Sequence, residues 1–167
     1  MSDFDETETW AAALTLAQLS AQGDPAYGVD RAVIADFEGR TIIEFEGAQN
    51  QLNIFDGLAE EDQRALLEGV IAETNEPGDQ QTRLRNAWLT GDATILEETT
   101  KTGIMTDPEL REALLVERNE DWVDTLSALL KDPERPLVAV GAAHLVGPES
   151  LPALLEQQGY SIEPMTQ

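Results

Sequence analysis

The amino-acid sequence predicts a helix-rich α/β fold, in which a small sheet of about three strands is covered by helices. Apolar residues recur at helical spacing over most of the chain. A continuous apolar run at residues 137–140 lies between Pro136 and Gly141, which is typical of a buried strand. Residues 40–45 follow Gly39 and are rich in β-branched side chains, which predicts a second strand.

The first half of the chain is expected to be mainly helical. The predicted helices cover residues 10–21, 30–37, 48–55 and 60–73. We expect Asp30 to cap the second of them, because an aspartate side chain accepts hydrogen bonds from the free amides of a first turn. The strand at residues 40–45 would separate the second helix from the third.

The second half begins with a predicted loop at residues 75–81. Asp107, Pro108 and Glu109 form a strong helix start, with an N-cap aspartate, a proline at the first position and an acid in the first turn. That helix should reach Glu120 and continue, or kink, into residues 122–130. The other predicted elements are helices at 82–89 and 92–100, broken at Gly91, a helix at 148–158 ending at Gly159, and a strand at 160–164.

Length and composition predict one folded domain over residues 1–167. The chain has 167 residues, of which 41% are hydrophobic. It has no cysteine, which excludes disulfides and thiolate chemistry. Its acidic amino terminus does not resemble a signal peptide, and no apolar stretch reaches transmembrane length. As written, the chain is expected to stay where it is made or to be part of something larger.

The charge balance predicts that neither nucleic acid nor a membrane is a partner. Asp and Glu number 33 against 10 Lys and Arg, which gives a net charge of −23. Such a surface repels phosphates and anionic lipids. The acids are spread along the chain, which favours a solubilising surface over an interaction tail. The alternative is an acidic mimic that occupies a basic partner.

His144 is the strongest candidate for a functional residue. It is the chain's only histidine and follows the predicted strand at residues 137–140 by three residues, after Gly141. Ligands of open α/β sheets bind beyond the carboxyl ends of strands. We expect Gly141 to turn the backbone sharply there, which would place the imidazole as a metal ligand or general base. The alternative is a hydrogen-bonded structural histidine.

Two further segments carry candidate residues. Arg118 and Asn119 offer a guanidinium and an amide that can hold a carboxylate or an anionic intermediate, unless they belong to a solvated helix face. Glu46 follows the predicted strand at 40–45, just before Gly47, and would share a strand face with Glu44. A ligand or base is possible at Glu46, and a surface acid is the alternative.

Several short motifs, in this order and spacing, resemble the TraB/GumN family from about Trp10 to Met165. They are Trp10-Ala-Ala-Ala, Gly28-Val29-Asp30, Phe45-Glu46 with Gln51-Leu52, Phe55-Asp56, Gln63, Trp88-Leu-Thr-Gly91-Asp92, Leu115 to Asn119 with Trp122, and Gly141-Ala-Ala-His144-Leu145 with Gly147. The resemblance implies a fold similar to the Tiki ectodomains and the ChaN-like proteins. It also implies kinship with proteins regarded as metal-dependent proteases.

The site implied by this resemblance uses two Gly-x-x-His motifs, an acid and an Arg-Asn element. On that basis His144 and Glu46 would be metal ligands, and Arg118 or Asn119 would stabilise an oxyanion. A divalent ion, Mn, Co or Zn, would activate water for attack on a carbonyl. The substrate would be a peptide or another small molecule.

The chain departs from this pattern because it has no second histidine. In the family, the first Gly-x-x-His motif would precede residue 1. A catalytic metal has three protein ligands, and His144 and Glu46 supply two. Three explanations are a truncated chain, completion by an amino-terminal half or another protomer, and a non-enzymatic relative. The sequence therefore predicts a hydrolase portion that is inactive alone, or alternatively a non-catalytic acidic binding or structural domain.

Overall fold

A computed structural model describes residues 7–21, 24–75, 78–131 and 135–165 of the protein. Of these residues 71% are helical, and no β-strand occurs among them. The prediction of a small sheet covered by helices, and with it of an α/β fold, is therefore wrong.

The helices follow one another with short connections. The α-helices in the described ranges are α1 Thr9–Ser20, α2 Val29–Asp36, α3 Gly47–Gly57, α4 Glu60–Thr74, α5 Gly78–Thr90, α6 Ala93–Glu98, α7 Pro108–Arg111, α8 Glu117–Leu129 and α9 Leu151–Gln157. Short 3-10 turns occupy Pro25–Tyr27, Thr99–Lys101, Gly103–Thr106 and Ala142–Leu145. A π-helical segment, Glu112–Val116, joins α7 to α8.

The predicted strand at residues 137–140 has no regular secondary structure. Leu137 is 58% exposed, and in the described part of the chain residues 136–140 make no hydrogen bond to another backbone segment. Apolar and β-branched residues favour a strand only where a neighbouring strand supplies the hydrogen-bond ladder and a surface to pack on. No such neighbour exists among the described residues, so the apolar pattern alone does not produce a strand.

The other two predicted strands fail for the same reason. Gly39 adopts a left-handed φ of +84° after α2, and Ile42 and Ile43 are 57% and 59% exposed. Residues 160–164 also carry no strand. In both segments the side chains that suggested a sheet face have no partner strand in the described ranges against which to pack.

The helix predictions are largely confirmed, with shifted ends. Asp107 caps α7, because its carboxylate accepts from the amides of Glu109 and Leu110 at 3.1 and 3.0 Å. Asp30 lies inside the first turn of α2, whose cap position is Gly28, so the predicted aspartate cap is absent. The loop predicted at 75–81 is shorter, since α5 already begins at Gly78; residues 76–77 lie outside the described part.

The chain forms two compact units, Met1–Val70 and Ile71–Gln167. In the first unit, a cluster around Gln63 links α1 to the end of α3 and to α4. The Gln63 amide accepts from the Trp10 backbone N–H at 3.2 Å and donates to the Leu58 carbonyl at 2.9 Å. Trp10 Nε1 donates to Asp56 at 3.1 Å, and its ring stacks on Phe55 at 6.5 Å between centroids. These contacts fix α1 on α4, where Ala13 and Leu66 are buried.

The second unit is built around the helical stretch that contains α7, the π-helical segment and α8. Besides Ala87 on α5, the buried apolar residues of the second unit are Leu110, Leu114, Leu115, Val116, Trp122, Val123, Leu126, Leu151 and Leu155. Each such side chain contributes roughly 1.5–3 kcal/mol when removed from water. Helix α9 packs on α8, and Tyr160 Oη donates to the Ser127 carbonyl at 3.2 Å just beyond it.

The prediction that the helix after Asp107 either continues or kinks is resolved by the π-helical segment. The Glu117 N–H donates to the carbonyl of Glu112, five residues earlier, so one extra residue is inserted and the helix goes on. None of the described helices is both long enough and apolar enough to span a bilayer. The prediction of one domain over residues 1–167 stays a prediction.

Candidate functional site

His144 lies in the 3-10 turn Ala142–Leu145, in the second unit. Its backbone N–H donates to the Gly141 carbonyl at 3.0 Å, and its residue surface is 8% exposed. The expected position at the exit of a β-strand is wrong, because the preceding residues form no strand. A one-turn helical segment fixes the imidazole instead.

Gly141 does not have the predicted special role in the backbone. Its φ and ψ are −59° and 144°, which other residues adopt equally well. A Cβ placed on Gly141 would lie 3.6 Å from His144 Cδ2, an ordinary van der Waals contact. Gly147, on the other side of His144, has a φ of +89°, so it is the glycine whose conformation a side chain would strain.

Asn119 on α8 is the direct partner of the imidazole. Asn119 is 0% exposed, and its Oδ1 lies 2.6 Å from His144 Nδ1. Its Nδ2 donates to the Glu149 carbonyl at 2.8 Å. The amide therefore connects α8 both to the histidine and to the segment before α9. The solvated helix face considered for Asn119 is not observed.

Trp122 and Arg118 extend this arrangement along α8. Trp122 lies three residues after Asn119, on the same side of the helix, and its ring centroid is 4.6 Å from that of His144 at an interplanar angle of 42°. The Arg118 guanidinium carbon lies 4.7 Å from the centre of the Trp122 ring, and its Nη1 donates to the Leu114 carbonyl at 3.1 Å. A cation over an indole face is an attractive arrangement.

Arg111 and Glu149 were not predicted from the sequence, although they support the site. Arg111 Nη2 pairs with a Glu149 carboxylate oxygen at 2.9 Å, and its Nε donates to the Thr100 carbonyl at 3.2 Å. Ser150 then caps α9 by accepting from the Ala153 N–H at 3.4 Å. The cap at Ser150 could have been predicted from the sequence, but a backbone carbonyl that accepts from a distant asparagine leaves no pattern in it.

Glu46 belongs to the first unit, Met1–Val70. It occupies the cap position of α3 without a side-chain cap hydrogen bond, and it is half-buried. The expected common strand face with Glu44 does not exist, because these residues form no strand. Gly47 has a φ of +71°, and its Cβ position would be 3.3 Å from a Glu44 carboxylate oxygen. The candidate residues that the structure brings together are thus His144, Asn119 and, through Trp122, Arg118.

Within the described residues of the second unit, His144 is a candidate metal-ligand position that lacks a complete set of ligands around it. Among the described residues of that unit, no group of three His, Cys, Asp or Glu side chains that includes His144 could share an ion. A ligating histidine characteristically uses its other ring nitrogen for a hydrogen bond to an oxygen, which Asn119 provides here. The residues around His144 therefore suit it to act as one metal ligand, and a catalytic metal would need further protein ligands.

These features define a helical protein with one buried histidine–asparagine pair. A family model for the TraB/PrgY/gumN family matches residues 1–164. YbaP, an uncharacterized protein of Escherichia coli strain K12, is 29% identical over 157 residues, which cover 91% of this chain and 58% of YbaP. YbaP of Shigella flexneri has the same identity and coverage. No solved structure matches the chain.

The chain belongs to the TraB/PrgY/gumN family, which confirms the family predicted from the sequence motifs. It spans just over half the length of the curated relatives that it matches, 58% in each case.

The two glycines that flank His144 should respond differently to substitution by alanine. Gly147→Ala forces a side chain into the left-handed region and should lower the free energy of unfolding by about 1–2 kcal/mol. Gly141→Ala should change it by less than about 0.5 kcal/mol, since its backbone conformation suits any residue. Urea denaturation followed by circular dichroism measures both. Equal losses for the two variants would contradict the left-handed backbone conformation of Gly147 and the ordinary one of Gly141.

Proposed function

We propose that this chain contributes one oriented imidazole, that of His144, to a metal-dependent hydrolase site. The observation that supports the proposal most directly is the contact of 2.6 Å between His144 Nδ1 and Asn119 Oδ1, made by two buried side chains. Histidines that act as ligands or bases are held in this way, with one ring nitrogen bonded to a fixed oxygen. Membership of the TraB/PrgY/gumN family agrees with the proposal but does not by itself define an activity.

Three residues near His144 have distinct parts in this proposal. Asn119 orients the imidazole, and Trp122 packs against its ring and restricts its rotation. Arg118, held over the Trp122 ring, supplies positive charge that would favour an anionic intermediate of carbonyl hydrolysis. A bound divalent ion, Mn, Co or Zn, would polarise the carbonyl of a peptide or a related small molecule as a Lewis acid.

The remaining ligands are proposed to come from polypeptide other than the residues around His144, supplied by a further segment or by another protomer. In the described part of the second unit, no group of three His, Cys, Asp or Glu side chains that includes His144 could share an ion, and the chain spans 58% of the length of the relatives that it matches. We therefore expect this chain alone to show no robust hydrolase activity. Turnover of a peptide panel by the chain alone, lost in His144→Ala, would contradict this part of the proposal.

The single histidine allows a direct test of metal binding. In a chain labelled with ¹⁵N only at histidine, each imidazole signal belongs to His144. Titration with Zn²⁺ or Co²⁺ should shift these signals saturably, whereas Ca²⁺ should not, because it prefers oxygen ligands. The Ca²⁺ arm is the matched control for diffuse binding to the acidic surface, whose net charge is −23. Unchanged signals at millimolar Zn²⁺ would refute the proposal for this chain.

A non-catalytic structural domain is the second candidate, and the burial of His144 favours it. The residue is 8% exposed and packs on Trp122, as a core histidine would. In that case His144→Gln should destabilise the second unit, and Zn²⁺ should leave the imidazole signals of the wild type unchanged. Zinc titration therefore separates the two candidates.

A further inference from the structure

We infer that Asn119 is a positioning residue that fixes neutral His144 in the tautomer with its proton on Nδ1, so that Nε2 carries the lone pair. The inference deepens the proposed function, on which its catalytic meaning rests, by naming the ring nitrogen that would act as ligand or base. The tautomer itself follows from three groups alone: the His144 imidazole, the Asn119 amide and the Glu149 carbonyl.

The Glu149 carbonyl fixes the orientation of the amide. A backbone carbonyl oxygen can only accept hydrogen bonds, so the Asn119 atom 2.8 Å away from it must be the amide nitrogen. The opposite orientation would place two acceptor oxygens 2.8 Å apart and leave the buried amide nitrogen of Asn119 without this acceptor. The Asn119 oxygen therefore faces the imidazole.

The amide oxygen in turn fixes the proton of the imidazole. Asn119 Oδ1 can only accept, so His144 Nδ1, at 2.6 Å, must donate. A neutral imidazole has one N–H group, and once it is on Nδ1 the lone pair is on Nε2. The protonated imidazolium keeps the same contact, because both of its nitrogens carry hydrogen. The tautomer is thus set in the neutral form, which is the form that binds metal or accepts a proton.

This geometry also gives Asn119 a different role from the oxyanion contact that the family resemblance suggested. Asn119 is 0% exposed, and both ends of its amide are occupied inside the protein. A residue that is fully buried cannot touch substrate, so it acts through the histidine. Arg118 then remains the candidate for stabilising negative charge.

Long-range ¹H–¹⁵N correlation spectra of the histidine-labelled chain test the inference. The sample is held at a pH where titration of the same signals shows the imidazole to be neutral. We expect the wild type to show a protonated Nδ1 and an unprotonated Nε2, with this tautomer favoured by at least about tenfold, because the other would leave a buried acceptor unbonded. A wild-type spectrum with the proton on Nε2 would overturn the inference.

Two substitutions of Asn119 separate positioning from folding. Asn119→Leu removes the acceptor and should reduce the tautomer preference by about tenfold or more. Asn119→Asp keeps an acceptor at His144 and gives up the donor to Glu149, so the preference should persist even if stability falls. Asn86→Leu, an exposed asparagine on α5, is the control and should leave the spectrum unchanged. Loss of the preference in folded Asn119→Asp would contradict the inference.

The outcome for the proposed function is separate. A wild-type Nδ1–H tautomer together with imidazole signals that Zn²⁺ leaves unchanged would retain the role of Asn119 and remove the hydrolase proposal. A Zn²⁺-induced shift in a chain whose imidazole proton lies on Nε2 would retain the hydrolase proposal and remove the role inferred for Asn119.

Discussion

Trp122→Ala is expected to lower the free energy of unfolding by about 3–5 kcal/mol, as truncation of a buried aromatic side chain does. Trp122 is 7% exposed, and its ring contacts both His144 and the Arg118 guanidinium. Removal of the indole leaves a cavity beside the imidazole and ends the attraction between the cation and the ring. Urea denaturation followed by circular dichroism measures the loss.

Trp88→Ala is the matched control for that substitution. Trp88 lies on α5 in the same unit and is 52% exposed, so its truncation should cost less than about 1 kcal/mol. Comparable losses for Trp88 and Trp122 would mean that the burial of Trp122 has been misassigned. The imidazole signals of His144 should also shift in Trp122→Ala and stay in place in Trp88→Ala.

Asn119→Leu is expected to lower the free energy of unfolding by about 2–4 kcal/mol. Leucine has the same number and branching of side-chain heavy atoms as asparagine but cannot form hydrogen bonds. It leaves the buried His144 Nδ1–H and the part-buried Glu149 carbonyl without their partner, and an unsatisfied buried group costs about 1–3 kcal/mol. The bulkier methyl groups add to the cost at a fully buried position. Thermal and urea denaturation at one fixed pH measure the loss. The effect is large because a single side chain satisfies both groups.

Asn86→Leu controls for the chemistry of the exchange. Asn86 is exposed on α5, and the change there should fall within about 0.5 kcal/mol of the wild type. An Asn119→Leu protein as stable as Asn86→Leu would show that the buried amide contributes nothing to folding. It would also weaken the case that Asn119 holds the imidazole.

Local signals in the sequence predicted the helices well, because helix ends depend on nearby residues. Asp107 caps α7 as expected, and Gly91, with a φ of +70°, separates α5 from α6. Strands depend instead on a partner that is distant in sequence. The run at residues 137–140 has the composition of a strand but no neighbour to pair with among the described residues, so its composition misled the prediction.

For a related reason, only part of the candidate site could be predicted from the sequence. The motifs pointed to His144, Arg118 and Asn119, which the structure brings to one side of α8. The full burial of Asn119 and its bond to the Glu149 carbonyl depend on how α8 meets the segment before α9. No local sequence pattern encodes such a contact, so its role in holding the histidine emerges only from the structure.

The π-helical segment Glu112–Val116 has a consequence for how this site tolerates change. One extra residue in a regular α-helix would turn everything downstream by roughly 100° about the helix axis, but the wider π-turn absorbs that residue. The side of α8 that carries Asn119 and Trp122 therefore depends on the π-turn upstream, as well as on the identity of the residues. A one-residue deletion in that segment would restore an ordinary α-turn and leave both side chains directed at the imidazole, whereas a one-residue insertion there would rotate them away.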